Sequence, residues 1–394
     1  MQNSEFLIFL ILILFVTTSW NLLSFRNEYY NHQHQHHHQH NNNQHREGFI
    51  SFQTTDYNYI SCDTGDALSE FNDTFLPYIK KLSENEDMSH SVVELNKITK
   101  NDHHNNTTIM LSNLTVFGSY NSLCTGKYLN MRAFALLFDL GVRFFDFEIF
   151  NQNIVDDKFV PVVGCGISSS STNNIFFSDV CSFIKQILKN SKNKKKSTTV
   201  FLNLRIQTSY NNLSDAEKKK YFQSIRKNIE DNLGEYYTHE NIREPSTYNI
   251  VGGDPKIIVI VDRNVCPLPS SDLDNLSNLD SGSSGNQKVY IETTEGGGAG
   301  AGAGAGGDSN WNIMNPSEMN DNYFLISSAV ATSENPTLDA ISKYGFQTAL
   351  LDFSTTNDEE NVLSFLLLFN DKSYLKQSDA IERINVISYI QKNS

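Results

Sequence analysis

The sequence predicts an α/β protein built as a (β/α)8 barrel, and three observations carry that expectation. Short strand-like runs alternate with helical patterns from Leu111 onward, and eight such runs can be counted. One of them, Gly141 to Phe150, places Phe145, Phe147 and Ile149 on one face and Asp146 and Glu148 on the other, because side chains alternate along a strand. In a parallel barrel covered by helices, the apolar set packs outward and the two carboxylates face the axis near the strand's C-terminal end, where such barrels keep their chemistry. The chain's 394 residues, 39% of them hydrophobic, suffice for one large domain with extra segments but not for two.

At the N-terminus, Phe6 to Val16 is an unbroken apolar run, and the stretch stays largely apolar through Phe25. About 20 such residues span a bilayer, so residues 1–25 read as a hydrophobic helix and a single-pass membrane anchor. A signal peptide cleaved near Thr17 or Ser19, releasing a secreted protein, is the alternative. Arg26 on one flank and Glu5 on the other favour a cytoplasmic body. Several Asn-x-Ser/Thr sequons, among them those at Asn72, Asn105, Asn113, Asn212 and Asn275, suit a lumenal or external one. Residues 26–110 form a low-complexity spacer, almost wholly His, Gln and Asn between His32 and His45, which buries too little apolar surface to order itself. Within it, Leu68, Phe71, Phe75, Ile79 and Leu82 recur at helical spacing and predict short amphipathic helices that pack on the main domain or tether it.

The barrel occupies residues 111–394. Strands are expected at about 115–120, 142–150, 159–164, 198–206, 256–262, 288–293, 323–328 and 346–353, with helices at 131–140, 176–188, 215–233 and 360–370. The 215–233 helix sets Phe222, Ile225, Ile229 and Leu233 on one face. Residues 267–310, ending in the Gly/Ala run 296–307, read as a flexible insertion.

Composition excludes several functions. A formal net charge of -14 opposes a general nucleic-acid binder, since phosphate backbones reward clustered Lys and Arg. Five cysteines without C-x-x-C spacing oppose a zinc site and allow at most two disulfides. There is no serine-hydrolase elbow with plausible partners and no H-E-x-x-H, and the Gly/Ala run lacks the Lys-Ser/Thr ending of a phosphate loop.

Four blocks then carry a resemblance: Gly118-Ser119-Tyr120-Asn121-Ser122; Gly141 to Phe150; Pro161 to Gly166 followed by Phe177-Ser178-Asp179-Val180; and Val200 to Arg205. In order and spacing they resemble the phosphatidylinositol-specific phospholipase C superfamily, whose catalytic domain is an irregular TIM barrel. That family uses two histidines, one as base toward the inositol 2-hydroxyl and one as acid toward the leaving glycerol oxygen, and its metal-dependent members add Asn, Glu and Asp ligands to calcium. Carried onto this chain, the histidines fall on Tyr120 and Cys165. With reference pKa values of about 10 and about 8.5 these replace imidazole poorly, and each acid-base group is worth about a hundredfold to ten-thousandfold in rate. The resemblance therefore implies a phosphoric diester hydrolase fold with impaired catalysis.

The same carry-over makes Asn121, Asp146 and Glu148 calcium-ligand positions, but the acidic ligand of the fourth strand falls on Arg205. Alternation puts Asn203, Arg205 and Gln207 on the inward face, so a guanidinium reaches toward the carboxylates in place of a metal. Arg205 with Asn121 is then the expected phosphate-binding pair, no cofactor is required, and the implied partners are a membrane and a phosphoinositide or other anionic lipid headgroup. A divergent branch of the superfamily is similar in reading Ser-Tyr-Asn-Ser and Asp-Phe-Glu-Ile, and it too lacks the histidines.

Overall fold

The computed structural model describes residues 65–83, 109–154, 158–164, 174–193, 199–207, 213–237, 242, 249–250, 255–262, 279–281, 289–293, 324–329, 335–343, 345–354, 358–370 and 372–393. All of them fall in one compact unit, residues 49–394. The hydrophobic segment 1–25, the His/Gln/Asn tract, Cys165 and the Gly/Ala run lie outside the described residues.

The barrel is a closed ring of eight parallel strands. In ring order they are β1 (Leu114–Ser119), β2 (Phe144–Ile154), β5 (Thr199–Ile206), β6 (Lys256–Asp262), β7 (Leu279–Ser281), β8 (Val289–Thr293), β9 (Phe324–Ser328) and β10 (Thr348–Leu351), and β10 pairs with β1 to complete the ring. The ring is irregular at one seam. β1 and β2 pair only at Gly118–Phe144 and Ser119–Phe145; β2 stays paired with β5 through Ile149, and from Glu148 onward its free edge pairs antiparallel with β3 (Lys158–Gly164), itself edged by β4 (Ile175–Phe176). On the other side of the seam β11 (Tyr374–Lys376) lies antiparallel along the start of β1.

Two sequence expectations are corrected here. The 159–164 run is a strand, but it belongs to this antiparallel arm and not to the ring. The ring's missing member is β7, which with β8 falls inside the stretch read as an insertion, residues 267–310. Three residues reading Leu-Asp-Ser carry no apolar alternation, so nothing local marks them as a strand; pairing with β6 and β8 does.

Side-chain parity divides the core in two. Phe145, Phe147, Ile149, Leu202, Leu204, Val259 and Val261 face the helices. Phe144, Phe201, Ile258, Ile260, Phe324 and Ile326 fill the barrel axis. Phe144, Phe201 and Phe324 stack with nearly parallel rings at centroid separations of 5.6 to 6.1 Å, a floor beneath the C-terminal mouth. Ile109, Leu111, Ile242 and Ile250 join the axial cluster and close the opposite end.

The covering helices follow from their apolar stripes. α3 (Met131–Asp139), N-capped by the Asn130 side chain, packs Phe134 on Phe145 at 4.1 Å between centroids. α4 (Phe177–Asn193) opens at the expected Phe-Ser-Asp-Val, and α5 (Asp215–Leu233) has a Ser214/Glu217 capping box and buries Phe222, Ile225, Ile229 and Leu233. After the short α6 (Asp339–Ser342) come α7 (Glu359–Phe369) and α8 (Gln377–Asn393), the last with Ala380, Ile384 and Ile387 buried at helical spacing.

The amphipathic helices expected over Leu68 to Leu82 pack on the main domain. The helices α1 (Gly65–Glu70) and α2 (Leu76–Ser83), joined by a π-helical turn at Phe71–Phe75, contribute Phe71, Phe75, Tyr78, Ile79 and Leu82 to the same core as the barrel helices. The amphipathic face visible in the sequence has apolar surface to bury, and it buries it on the barrel. Glu70 then clamps the loop between β1 and α3, accepting hydrogen bonds from Thr125 Oγ1 at 2.7 Å and from the Lys127 and Tyr128 amides at 3.1 Å. Gly126, between them, has φ +139° and only 3.3 Å from a would-be Cβ to the Glu70 carboxylate.

Candidate functional site

The inward positions at the C-terminal ends of β1, β2 and β5 converge at one mouth of the barrel. Asp146, fully buried on β2, accepts from Nε of Arg205 at 3.1 Å and forms an ion pair with its Nη2, 3.0 Å from Oδ2. It also accepts from Asn203 Nδ2 at 2.7 Å and from the Asn121 amide at 3.1 Å. Register explains the meeting: Asp146 lies opposite Asn203 and Glu148 opposite Arg205 in the parallel β2–β5 pair. Glu148 accepts from Gln207 Nε2 at 2.6 Å, and its Oε2 lies 3.8 Å from Arg205 Nη1.

Tyr120 and Asn121 complete the cluster from the end of β1. Gly118, two residues earlier on the same face, lets β1 and β10 approach closely, since a Cβ there would lie 2.6 Å from Leu350 Cδ2 and 2.8 Å from the Ala349 carbonyl. Beyond it the Arg205 guanidinium carbon sits 4.7 Å from the centre of the Tyr120 ring. Asn121 holds a left-handed backbone with φ 42°, donates its amide to Asp146 and accepts from Arg205 Nη2 through its side chain. A non-glycine residue in that region costs energy, which the two bonds to the charged pair offset.

The electrostatics follow from burial and neighbours. Burial pushes the Tyr120 phenol above its ordinary value, and Asp146, Glu148 and Asp352 push it further, against the lowering effect of Arg205. It therefore takes no proton-accepting role near neutral pH. Burial opposes the charge on Arg205, but Asp146, Tyr120 and Glu148 outweigh it and hold the guanidinium protonated.

The donor set does not fit a calcium ion as it stands. Both Asp146 oxygens and Asn121 Oδ1 are engaged by Arg205, and among the described residues no group of three or more His, Cys, Asp or Glu is arranged to hold a metal. Of the six positions singled out in the sequence, Tyr120, Asn121, Asp146, Glu148 and Arg205 are brought together, and Cys165 lies outside the described residues. Two acids at the ends of other ring strands were not singled out. Asp262 follows Ile258 and Ile260 in inward parity, and Asp352 follows Leu350 in the same sense; both are buried. The period-2 rule that identified Asp146 also finds them. The Arg of Gly-x-Arg, Arg143, turns away from the mouth: it donates through Nη1 to the Phe138 and Val142 carbonyls and packs 3.7 Å from the Phe138 ring centre.

No family model matches this chain, and no curated protein matches it. Solved structures do. PLC21 of L. pealei is 12% identical over 71% of this chain and 38% of that one, with a TM-score of 0.47. A calcium-dependent phosphoinositol-specific phospholipase C from a Pseudomonas species is 6% identical over 68% of this chain and 95% of its own, with a TM-score of 0.43. The chain is similar to phosphatidylinositol-specific phospholipases C in fold. A calcium-dependent enzyme of that kind from Streptomyces antibioticus, 11% identical over 62% of this chain and 95% of its own, gives 0.38. The chain spans well under half the length of PLC21, and at these identities the likeness concerns fold; the barrel itself rests on the closed ring of strand pairs.

Proposed function

We propose that the chain is a membrane-tethered, phospholipase-C-like barrel that binds an inositol-lipid or related anionic headgroup without cleaving it efficiently. The supporting observation is that Arg205 stands among Asn121, Asp146 and Glu148, the positions that the family resemblance assigns to calcium ligands. Among the described residues its Nη1 makes no hydrogen bond, and its side chain remains 14% exposed at the mouth, so one edge of a permanently charged fork is available to a phosphate. Asp352, whose hydrogen bonds among the described residues all go to Oδ1, offers a second oxygen to a polyol hydroxyl. No histidine stands in the described cluster, and Tyr120, its pKa raised by burial, stays protonated and does not act as a base at neutral pH. The hydrophobic segment 1–25 supports tethering by its length and composition.

A second reading, a closed ion network that binds nothing, is favoured by the saturation of Asp146 and by the excess of carboxylates over guanidinium at the mouth. Thermal denaturation of the full chain in detergent with inositol phosphate, followed by turnover of phosphatidylinositol vesicles with and without calcium, separates the readings. Stabilisation by the headgroup with negligible turnover supports binding without cleavage. No stabilisation selects the closed network, and turnover at ordinary enzyme rates overturns both. Tethering is tested by deleting residues 1–25, which should release the protein from membranes without lowering its midpoint.

A further inference from the structure

Cys124, in the loop between β1 and α3, is disulfide-bonded. Cys181, by contrast, is free and buried in α4. Disulfides form and persist in oxidising compartments and are rare where glutathione keeps thiols reduced. This one anchors the loop that follows Tyr120 and Asn121, in which Glu70 clamps Thr125, Lys127 and Tyr128.

The compartment that forms such a bond is also where asparagines in Asn-x-Ser/Thr receive glycans. Two complete sequons lie among the described residues, Asn72-Asp73-Thr74 and Asn113-Leu114-Thr115. Other asparagines here do structural work and are buried for it. Asn130 caps α3, Asn203 and Asn121 serve the Asp146 network, and Asn335 bonds the Asp352 backbone. Asn72 and Asn113 differ on both counts: each is exposed, and among the described residues neither side chain has a hydrogen-bond partner. Asn72 stands with exposed Asp73 and Thr74 on a turn held from beneath by Phe71 and Phe75. Asn113 projects just before β1, at the end of the barrel opposite the mouth, so a glycan there leaves the mouth open.

We propose that the barrel lies on the lumenal or extracellular side of its membrane and carries N-linked glycans at Asn72 and Asn113. The orientation is the reverse of the one Arg26 suggests; a single flanking arginine sets orientation weakly, whereas a disulfide persists on the other side and the two exposed asparagines are glycan acceptors only there. The inference stands whether or not the mouth binds a headgroup.

The test uses the full chain expressed in a eukaryotic host. Digestion with peptide N-glycosidase F should increase electrophoretic mobility, and Asn72→Gln and Asn113→Gln should each remove one step of that shift. Mass analysis of the wild-type peptides should find both asparagines converted to aspartate after digestion, a readout independent of whether the variants fold. A maleimide reagent applied under denaturing conditions should label Cys124 only after reduction. Unmodified Asn72 and Asn113 peptides, occupancy confined to the other sequons, or labelling of Cys124 before reduction would overturn the proposal.

Discussion

Arg205 and Asp146 face each other across adjacent parallel strands as a forked ion pair, with Nε 3.1 Å from both carboxylate oxygens and Nη2 3.0 Å from Oδ2. Asp146 is fully buried, so the pair must satisfy itself, and Asn203 and the Asn121 amide take the remaining lone pairs. Breaking it from the carboxylate side leaves a guanidinium facing an amide. Asp146→Asn should therefore cost about 3 to 5 kcal/mol, read as a lower thermal midpoint. Arg205→Met should cost less, because two donors to Asp146 remain, and the double variant should lose less than the sum.

Calcium offers a second measurement. The unaltered protein should show no calcium-dependent rise in midpoint, since Arg205 holds the ligand oxygens. Arg205→Glu should place a carboxylate beside Asn121, Asp146 and Glu148, lowering stability in chelator by like-charge repulsion and recovering it on calcium addition. A hundredfold excess over the dissociation constant corresponds to about 2.7 kcal/mol of recovery. Equal midpoints with and without calcium in that variant would refute the reading of the arginine as the metal's replacement.

Asp352 makes a pH-dependent contribution of defined sign. Burial raises its pKa above the carboxylate value, against two hydrogen bonds from Ser354 that lower it. The folded state then binds the proton more tightly than the unfolded state, so ionisation weakens the fold as pH rises through the raised pKa. Asp352→Asn, which keeps an acceptor for Ser354, should raise the midpoint at pH 7, and the gap should close as pH falls through the carboxylate range. A gap that widens on acidification would contradict the assignment.

Glu70 joins α1 to the β1–α3 loop. Glu70→Ala leaves the Lys127 and Tyr128 amides and the Thr125 hydroxyl without their acceptor, a loss of about 1 to 3 kcal/mol for each buried group left unpaired. Because Lys127 is exposed to water, the expected total is at the low end, and faster amide exchange across residues 125–128 should accompany it.

Replacing both family histidine positions probes the chemistry directly. Tyr120→His with Cys165→His supplies an imidazole at each, and phosphatidylinositol cleavage should rise at least about a hundredfold over the parent. A folded double variant with no gain would assign the block to Arg205 rather than to the missing acid-base pair.

The sequence by itself determined the alternation that selects this fold and the parity of its site. Period-2 patterning in Gly141 to Phe150 and Val200 to Gln207 was enough to put Asp146, Glu148 and Arg205 on inward faces, because adjacent residues of a strand must point to opposite sides. The amphipathic faces of α3, α4, α5 and α7 were equally local. Tertiary structure decided what local pattern cannot encode. The 159–164 run became an arm outside the ring because β2 outruns its pairing with β1 after two residues. The three residues of β7 became a ring strand through pairing alone, and the helices at 65–83 joined the barrel because their apolar face found its partner there. Asp262 and Asp352 joined the site by the same parity that marked Asp146, but only the closed ring shows that those strand ends share a mouth. Inward direction is a property of one strand. Convergence on one cavity is a property of the ring, and it depends on registers set by pairings up to 232 residues apart in sequence.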